Sequence, residues 1–269
     1  MPAGVNTQLS WHTNLRQAHD KLALLKYHPL AEVRAVAEQV RNQLKEKYAH
    51  SFGHEIFPEQ EAYREAITAK YSYFDDKNYE GDFAASTSIK NDELMHYAEA
   101  VTKRPMKTNL PLFLTDLGQV TFKFLLDFGS FRDIQRHRNG VCRMPLLTTK
   151  YGFNEWYLSQ LPAESRVKAE ALIAEQVSAI EKLVVKAEDK QYYLAMGFNV
   201  SCQTTYALPA AVYTMELRSG RLVHPSLRKV AHKMYEALKT MFPELKLHAD
   251  LDLDDWDVRR GLQDIKEKV

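Results

Sequence analysis

The sequence predicts a helix-rich protein of the α/β (α+β) class. Three observations lead there. Several long stretches place apolar residues at helical spacing. One stretch alternates instead: Val120, Phe122 and Phe124 fall on one face, Thr121 and Lys123 on the other, as in a half-buried strand. The chain has 269 residues, 45% hydrophobic and 26% charged, enough to bury a real core.

The helices follow in order. Residues 14–49 hold Leu15, Ala18, Leu22 and Leu25 at helical spacing, then Val33, Val36, Ala37, Val40 and Leu44. His28-Pro29 interrupts them, with Pro29 expected in the first turn of the second helix. Ser51-Phe52-Gly53 stops the pair. Residues 58–71 begin with Pro and acids, a favourable helix start. Residues 74–90 read as turns, and residues 91–102 as a short helix capped by Asn91 or Asp92. KRPMKTNLP reads as a polar loop. After the strand, Gly129-Ser130 opens a helix that carries an Arg/His cluster. Residues 163–190 form one long helix with a stripe including Val167, Leu172, Ile180 and Val184. Pro209–Arg218 and Ser226–Met241 are two more helices, and the acidic tail HADLDLDDWDVRRG reads as solvated.

Composition excludes several classes. The net charge of +1 pulls the chain neither to nucleic acid nor to a membrane surface, so any anion site is local. No apolar run reaches the length of a membrane span. The first residues lack an apolar signal core, and Cys142 and Cys202 make neither a disulfide framework nor zinc spacing. A reducing, cytoplasmic setting is the expectation. Walker, GxGxxG and HExxH motifs are absent.

Three constellations are left. Arg132, Arg136, His137 and Arg138 lie within seven residues. They are either an anion site, since guanidinium forks suit phosphate, or a helix C-terminus, where cations are favoured. Asp133, four residues before His137, is placed to pair with it. Arg218, His224 and Arg228 flank a helix start, with Glu216 as an alternative partner for Arg218. Thr148, Thr149 and Lys150 form a polar loop that suits phosphate or simply solvent. Cys142 has no base partner and reads as packing.

The chain also echoes itself. TNLRQAHDKLALLKYHPLAEVRAVAEQV resembles TTYALPAAVYTMELRSGRLVHPSLRKVAHKM. Lys26, His28 and Arg34 correspond to Arg218, His224 and Arg228, which suggests duplication.

FRDIQRHR, a loop ending in a basic residue and Tyr, and later ELR with a His and a helix resemble the flavin-dependent thymidylate synthases, the ThyX family. The likeness runs from about Arg104 to Glu244 and is greatest to the second unit of tandem ThyX-like proteins. It implies a ThyX-like fold with a small central sheet. Residues 1–95 are then the tail of a preceding unit, and 96–269 a catalytic-type domain.

The resemblance implies a homo-oligomeric flavoprotein methyltransferase of nucleotide biosynthesis, with FAD between subunits. It methylates C5 of dUMP, or a related pyrimidine nucleotide, with methylenetetrahydrofolate and NADPH as co-substrates. No enzyme nucleophile is required. Arg136, His137, Arg138 and His224 are the cofactor contacts it implies. Arg132, Thr148, Lys150, Tyr151, Arg218 and Arg228 are the substrate contacts. The chain departs from the family where Asp133 replaces Gln, Lys150 replaces Arg and an Asn-Glu pair is missing. These departures imply the alternative of a ThyX-fold flavin- or nucleotide-binding protein without thymidylate synthase activity.

Overall fold

The computed structural model describes residues 2–4, 8–77 and 79–255. Helices α1 (Leu15–Leu25), α2 (Ala31–Lys47), α3 (Ala49–Phe52) and α4 (Pro58–Tyr71) come first. Strand β1 (Phe83–Thr87) and helices α5 (Asn91–Met95) and α6 (Ala98–Thr102) follow. Then come β2 (Gln119–Asp127), α7 (Phe128–Ile134), β3 (Gly140–Arg143), α8 (Glu155–Ser159) and α9 (Ala163–Glu181). The described chain closes with α10 (Ala187–Lys190), β4 (Asn199–Ala207), α11 (Leu208–Ser219) and α12 (Pro225–Met241).

The expected α+β class, helix-rich around a small sheet, is what the chain adopts. The four strands are antiparallel in the order β1-β2-β4-β3. At the centre β2 and β4 pair over nine residues, from Gln119 opposite Ala207 to Asp127 opposite Asn199. Their inward residues meet directly: Val120 with Tyr206, Phe122 with Thr204, Phe124 with Cys202, Leu126 with Val200. All eight are buried. Helices α11 and α12 cover this face and pack on each other. A second, smaller core joins Ala18, Leu22, Ala37 and Phe52 between α1, α2 and α3.

Several local expectations are corrected. Residues 74–90 hold β1, whose FAAST sequence is too small and polar to announce a strand. Strands β3 and β4 were also unannounced, because Gly140, Ser201, Cys202 and Thr204 blur the alternation. The cap of α5 is Lys90, without a side-chain bond, rather than Asn91 or Asp92. Leu30 caps α2, so Pro29 stands just outside the helix. The 163–190 helix stops at Glu181, and Val184 just beyond it is 99% exposed. Val167 and Leu172 of its stripe are exposed too.

Arg104, in the stretch read as a polar loop, is buried. It bonds to Glu216, to the Thr108 carbonyl at 2.6 Å and to the Lys246 carbonyl at 2.9 Å. The tail is held rather than solvated as far as it is described, with the Asp250, Asp252 and Asp255 carbonyls as acceptors. Its last residues, 256–261, lie outside the described residues. Among the described residues no helix is long and apolar enough to cross a membrane.

The register predicts where stability is concentrated. Phe122→Ala is expected to lower unfolding free energy by about 3–5 kcal/mol, because Phe122 is fully buried in the sheet core. Val36→Ala, on the exposed part of α2, is expected to change it by less than about 0.5 kcal/mol. Urea titrations of both variants check this contrast.

Candidate functional site

The two central strands each hand over to a helix, and this brings the Arg/His cluster to Arg218. At the end of β2, Asp127 caps α7 by accepting from the Ser130 backbone N–H at 2.9 Å. Helix α7 is short and ends before Arg136, so Arg136, His137 and Arg138 fall beyond its last turn. Asn139-Gly140 then joins β3. A Cβ on Gly140 would sit 2.2 Å from the Tyr206 ring and 2.5 Å from the Thr205 carbonyl. Only glycine lets the chain close on β4 here, and that anchors the cluster to the sheet. On the other side, α11 leaves β4 and spans about 18 Å at 1.5 Å per residue. Arg218 is in its last turn.

Arg218 locks the two segments together. Its Nε donates to His137 Nε2 at 2.8 Å, and an Nη donates to the Asp133 carbonyl at 2.6 Å. The second bond satisfies a carbonyl in the last turn of α7. Glu216, the alternative partner, is taken by Arg104. Asp133 acts on His137 through its charge, which opposes the fall in the imidazole's pKa. Its carboxylate lies 3.2 Å from Arg136 Nε.

Burial, and then the nearby Arg218 guanidinium, push the His137 imidazole down to about 4. His137 is therefore neutral at pH 7. Its Nε2 accepts from Arg218, so the ring proton sits on Nδ1. Arg136, His137, Arg138 and Arg218 line one open cleft of ≈ 330 Å³ with Asn139, Tyr213, Thr214 and Leu217. Tyr213 presents its ring edge-on to His137, with centroids 6.0 Å apart.

A second polar network lies at the start of α12. Asp127 is fully buried and accepts from Tyr157 Oη at 3.0 Å and from the Ser226 hydroxyl. Ser226 thus spends its proton on Asp127. The 2.8 Å contact to His224 then requires His224 Nδ1–H to donate to Ser226 Oγ. Burial lowers the His224 pKa, against the opposing Asp127 charge, and the neutral ring keeps Nε2 as an acceptor. Trp156 and Tyr157 flank the imidazole at 4.4 and 5.2 Å between centroids.

The remaining expected site residues fall elsewhere. Arg132 is exposed on α7 and donates to the Gly129 carbonyl at 3.3 Å. Thr148 is exposed and accepts from the Lys150 backbone N–H. Lys150 and Tyr151 turn to Asp76, which accepts from Tyr151 at 2.7 Å and Ser201 at 3.0 Å and lies 3.4 Å from the Lys150 ammonium. Burial opposes the Asp76 charge, but these partners outweigh it and hold the carboxyl below its ordinary range.

Arg228, expected as a substrate contact, is enclosed by backbone carbonyls. It is 0% exposed and donates to the carbonyls of Ser219, Asp252 and Asp255. Cys142 behaves as packing, since burial pushes its thiol up to about 12. Sequence reasoning missed Asp127, Ser130, Tyr157 and Ser226. An Asp at a strand-to-helix junction with Ser three residues later was the one available signal. Among the described residues no group of His, Cys, Asp and Glu could hold a metal ion.

No protein-family model matches the chain. It is similar to a UPF0159 protein of Thermoplasma acidophilum, 32% identical over 62% of this chain and 33% of that protein. A UPF0159 protein of Chlamydia muridarum is 24% identical, over 100% of this chain and 59% of its own length. One from Chlamydia pneumoniae is 28% identical, over 55% and 28%. The chain thus spans less than two thirds of the length of each of these curated relatives.

Among solved structures, a UMP/dUMP methylase from Streptomyces cacaoi, bound with 5-Br UMP, aligns with a TM-score of 0.42 and 12% identity. It covers 61% of this chain and 92% of that one. The flavin-dependent thymidylate synthase ThyX of Helicobacter pylori, complexed with FAD and dUMP, aligns with a TM-score of 0.37 and 16% identity. It covers 57% and 83%.

The cleft has a titration signature. His137 is expected to titrate near pH 4 by NMR, and Arg218→Ala to raise that value because a cation beside the ring is removed. The folded value lies below the unfolded 6.5, so the unfolded chain takes up the proton first. His137 therefore contributes its full stability above about pH 6.5, and that contribution drains away as pH falls towards 4. Denaturant midpoints measured across this window should depend less on pH in His137→Gln.

Proposed function

We propose that the chain is a flavin-dependent, thymidylate synthase-like enzyme that binds FAD and a pyrimidine nucleotide at the Arg136–Arg218 cleft. The observation that carries this reading is the Arg218–His137 bond. It joins the two motifs, RHR and ELR, on which the sequence resemblance rests, although 81 residues separate them.

The residues present fit such a ligand. The exposed guanidinium forks of Arg136 and Arg138 match phosphate oxygens. The neutral His137 offers an Nδ1–H donor to a ring carbonyl, and the Tyr213 ring lies beside it. Arg218, committed to His137 and to the α7 carbonyl, holds the imidazole's tautomer. His224, steered by Ser226 and Asp127, offers an acceptor. When bound, the flavin supplies hydride derived from NADPH, and methylenetetrahydrofolate supplies the carbon for C5 of dUMP.

At ≈ 330 Å³ the cleft is at the small end of ligand pockets, which run from about 300 to 1,000 Å³. A dinucleotide needs more wall than this. Completion by a second copy in a homo-oligomer accords with the exposed apolar side chains Val167 and Leu172 of α9 and Val184 beyond it. The same reading takes residues 1–95 as the end of a preceding unit and 96–269 as the catalytic-type domain. The two His-Pro corners support it: His28 Nδ1 accepts from the Leu30 N–H, and His224 Nδ1 meets Ser226, each two residues on.

One observation favours a second reading, a flavin- or nucleotide-binding protein without thymidylate synthesis. Lys150 and Tyr151, at the positions of the family's Arg-Tyr, are held by Asp76 and do not line the cleft.

The visible absorption of purified protein, soaked in FAD and gel-filtered, separates these outcomes. A retained flavin spectrum that Arg136→Ala loses is expected. Formation of dTMP from dUMP, methylenetetrahydrofolate and NADPH then supports the enzyme. Bound flavin with no turnover supports the second reading, and protein that takes up neither FAD nor dUMP sinks both.

A further inference from the structure

The N-terminal helices carry a second basic concavity that shares no residue with the Arg136–Arg218 cleft. Its volume is ≈ 490 Å³. Leu22, Ala37 and Phe52, all buried, give it an apolar floor, and Ile56 adds an exposed apolar edge. Lys26, Arg34, Arg41, Lys45 and His54 stand around that floor, with Glu38 as the one carboxylate.

The cations are not a randomly solvated face. Arg34, Glu38, Arg41 and Lys45 are spaced by four, three and four residues, so α2 presents them on a single side. Their partners divide them into two classes. Lys26 is matched by Glu61, whose carboxyl its hydrogen bond, aided by Tyr27, pulls down to about 2. Arg34 donates to the carbonyls of His28 at 2.6 Å and Pro29 at 2.8 Å. Arg41 and Lys45 have no hydrogen bond or ion pair among the described residues. Yet Arg41 is half-buried, and Lys45 follows it one turn later, where like charges repel. An arginine whose side chain lies over an apolar floor gains from an anion that also covers that floor.

We propose that this groove is a separate binding site for a small organic anion, one that joins a planar apolar body to a phosphate. Arg41 and Lys45 take the phosphate, and Leu22, Phe52 and Ile56 take the ring. Volume argues for the ring: inorganic phosphate fills a small part of ≈ 490 Å³ and leaves the floor wet. The site does not depend on the flavin reading.

Calorimetric titration of the whole chain with 2-naphthyl phosphate tests the assignment, with 2-naphthol and inorganic phosphate as the two halves of the probe. The probe is expected to bind about tenfold or more tightly than either half. Arg41→Glu and Lys45→Glu are each expected to weaken it about tenfold or more at unchanged melting temperature, and Arg136→Ala to leave it intact. Should Arg41→Glu not fold, Arg41→Gln reads the same contact. Unaltered affinity in the groove variants, loss of binding in Arg136→Ala instead, or no binding at all would each overturn the proposal. So would a single-stranded oligonucleotide that depends on Arg41 while the naphthyl probe does not bind, since the groove is then a nucleic-acid surface. FAD uptake is read separately by absorption, so failure here and failure of the flavin reading stay distinguishable.

Discussion

The nine-residue pairing of β2 with β4 is the constraint on which the rest depends. A slip of one residue would turn Val120, Phe122, Phe124 and Leu126 away from the core. It would also move both helices that begin where the strands end. Asp127 caps α7 from the last residue of β2, and α11 starts directly after β4. Because the strands are antiparallel, these helices start at opposite ends of the sheet. The length of α11 carries Arg218 back to α7, and so the cleft inherits its geometry from the register.

Charge near the cleft is handled by neutralising one group rather than by pairing all of them. Three guanidinium groups and an imidazole share a small volume. Burial and Arg218 keep the imidazole uncharged, which removes a fourth cation and leaves a hydrogen-bond acceptor for Arg218. Asp133 serves the same end twice, with its carboxylate near Arg136 and its carbonyl on Arg218. The His224 network solves a different problem. Asp127 must be satisfied in the core, and the hydroxyls of Ser226 and Tyr157 do this while fixing the tautomer of the ring above.

What was legible in the sequence follows from these forces. Helices with apolar periodicity could be read, and so could β2, whose inward positions are all large and apolar. Strand β4 could not, because Cys202 and Thr204 fill small inward spaces opposite Phe124 and Phe122 of β2, and the buried Ser201 on its other face is polar. The Arg136–Arg138 cluster was visible as a charge anomaly, and the family resemblance implied ligand contacts for it and for Arg218, but not the bond between Arg218 and His137. Asp127 was invisible because a buried carboxylate differs from a surface one only through partners that lie far away in sequence, Tyr157 and Ser226. The partner of Lys150 and Tyr151 was invisible for the same reason, since nothing local announces Asp76.

The two His-Pro corners show how similar sequences come to different ends. Arg34 and Arg228 occupy corresponding places, and both donate to backbone carbonyls. The carbonyls around Arg228 include those of the tail, which closes over it and leaves it 0% exposed. Arg34 finds its carbonyls within its own corner, at His28 and Pro29. One helix pair therefore ends as a sealed core element that positions Arg218. The other keeps an open basic groove, with Arg41 and Lys45 unmatched among the described residues. Arg34 and Arg228 serve structure at the two corners. Cations beyond that need, on an apolar floor, are better explained by a ligand than by folding.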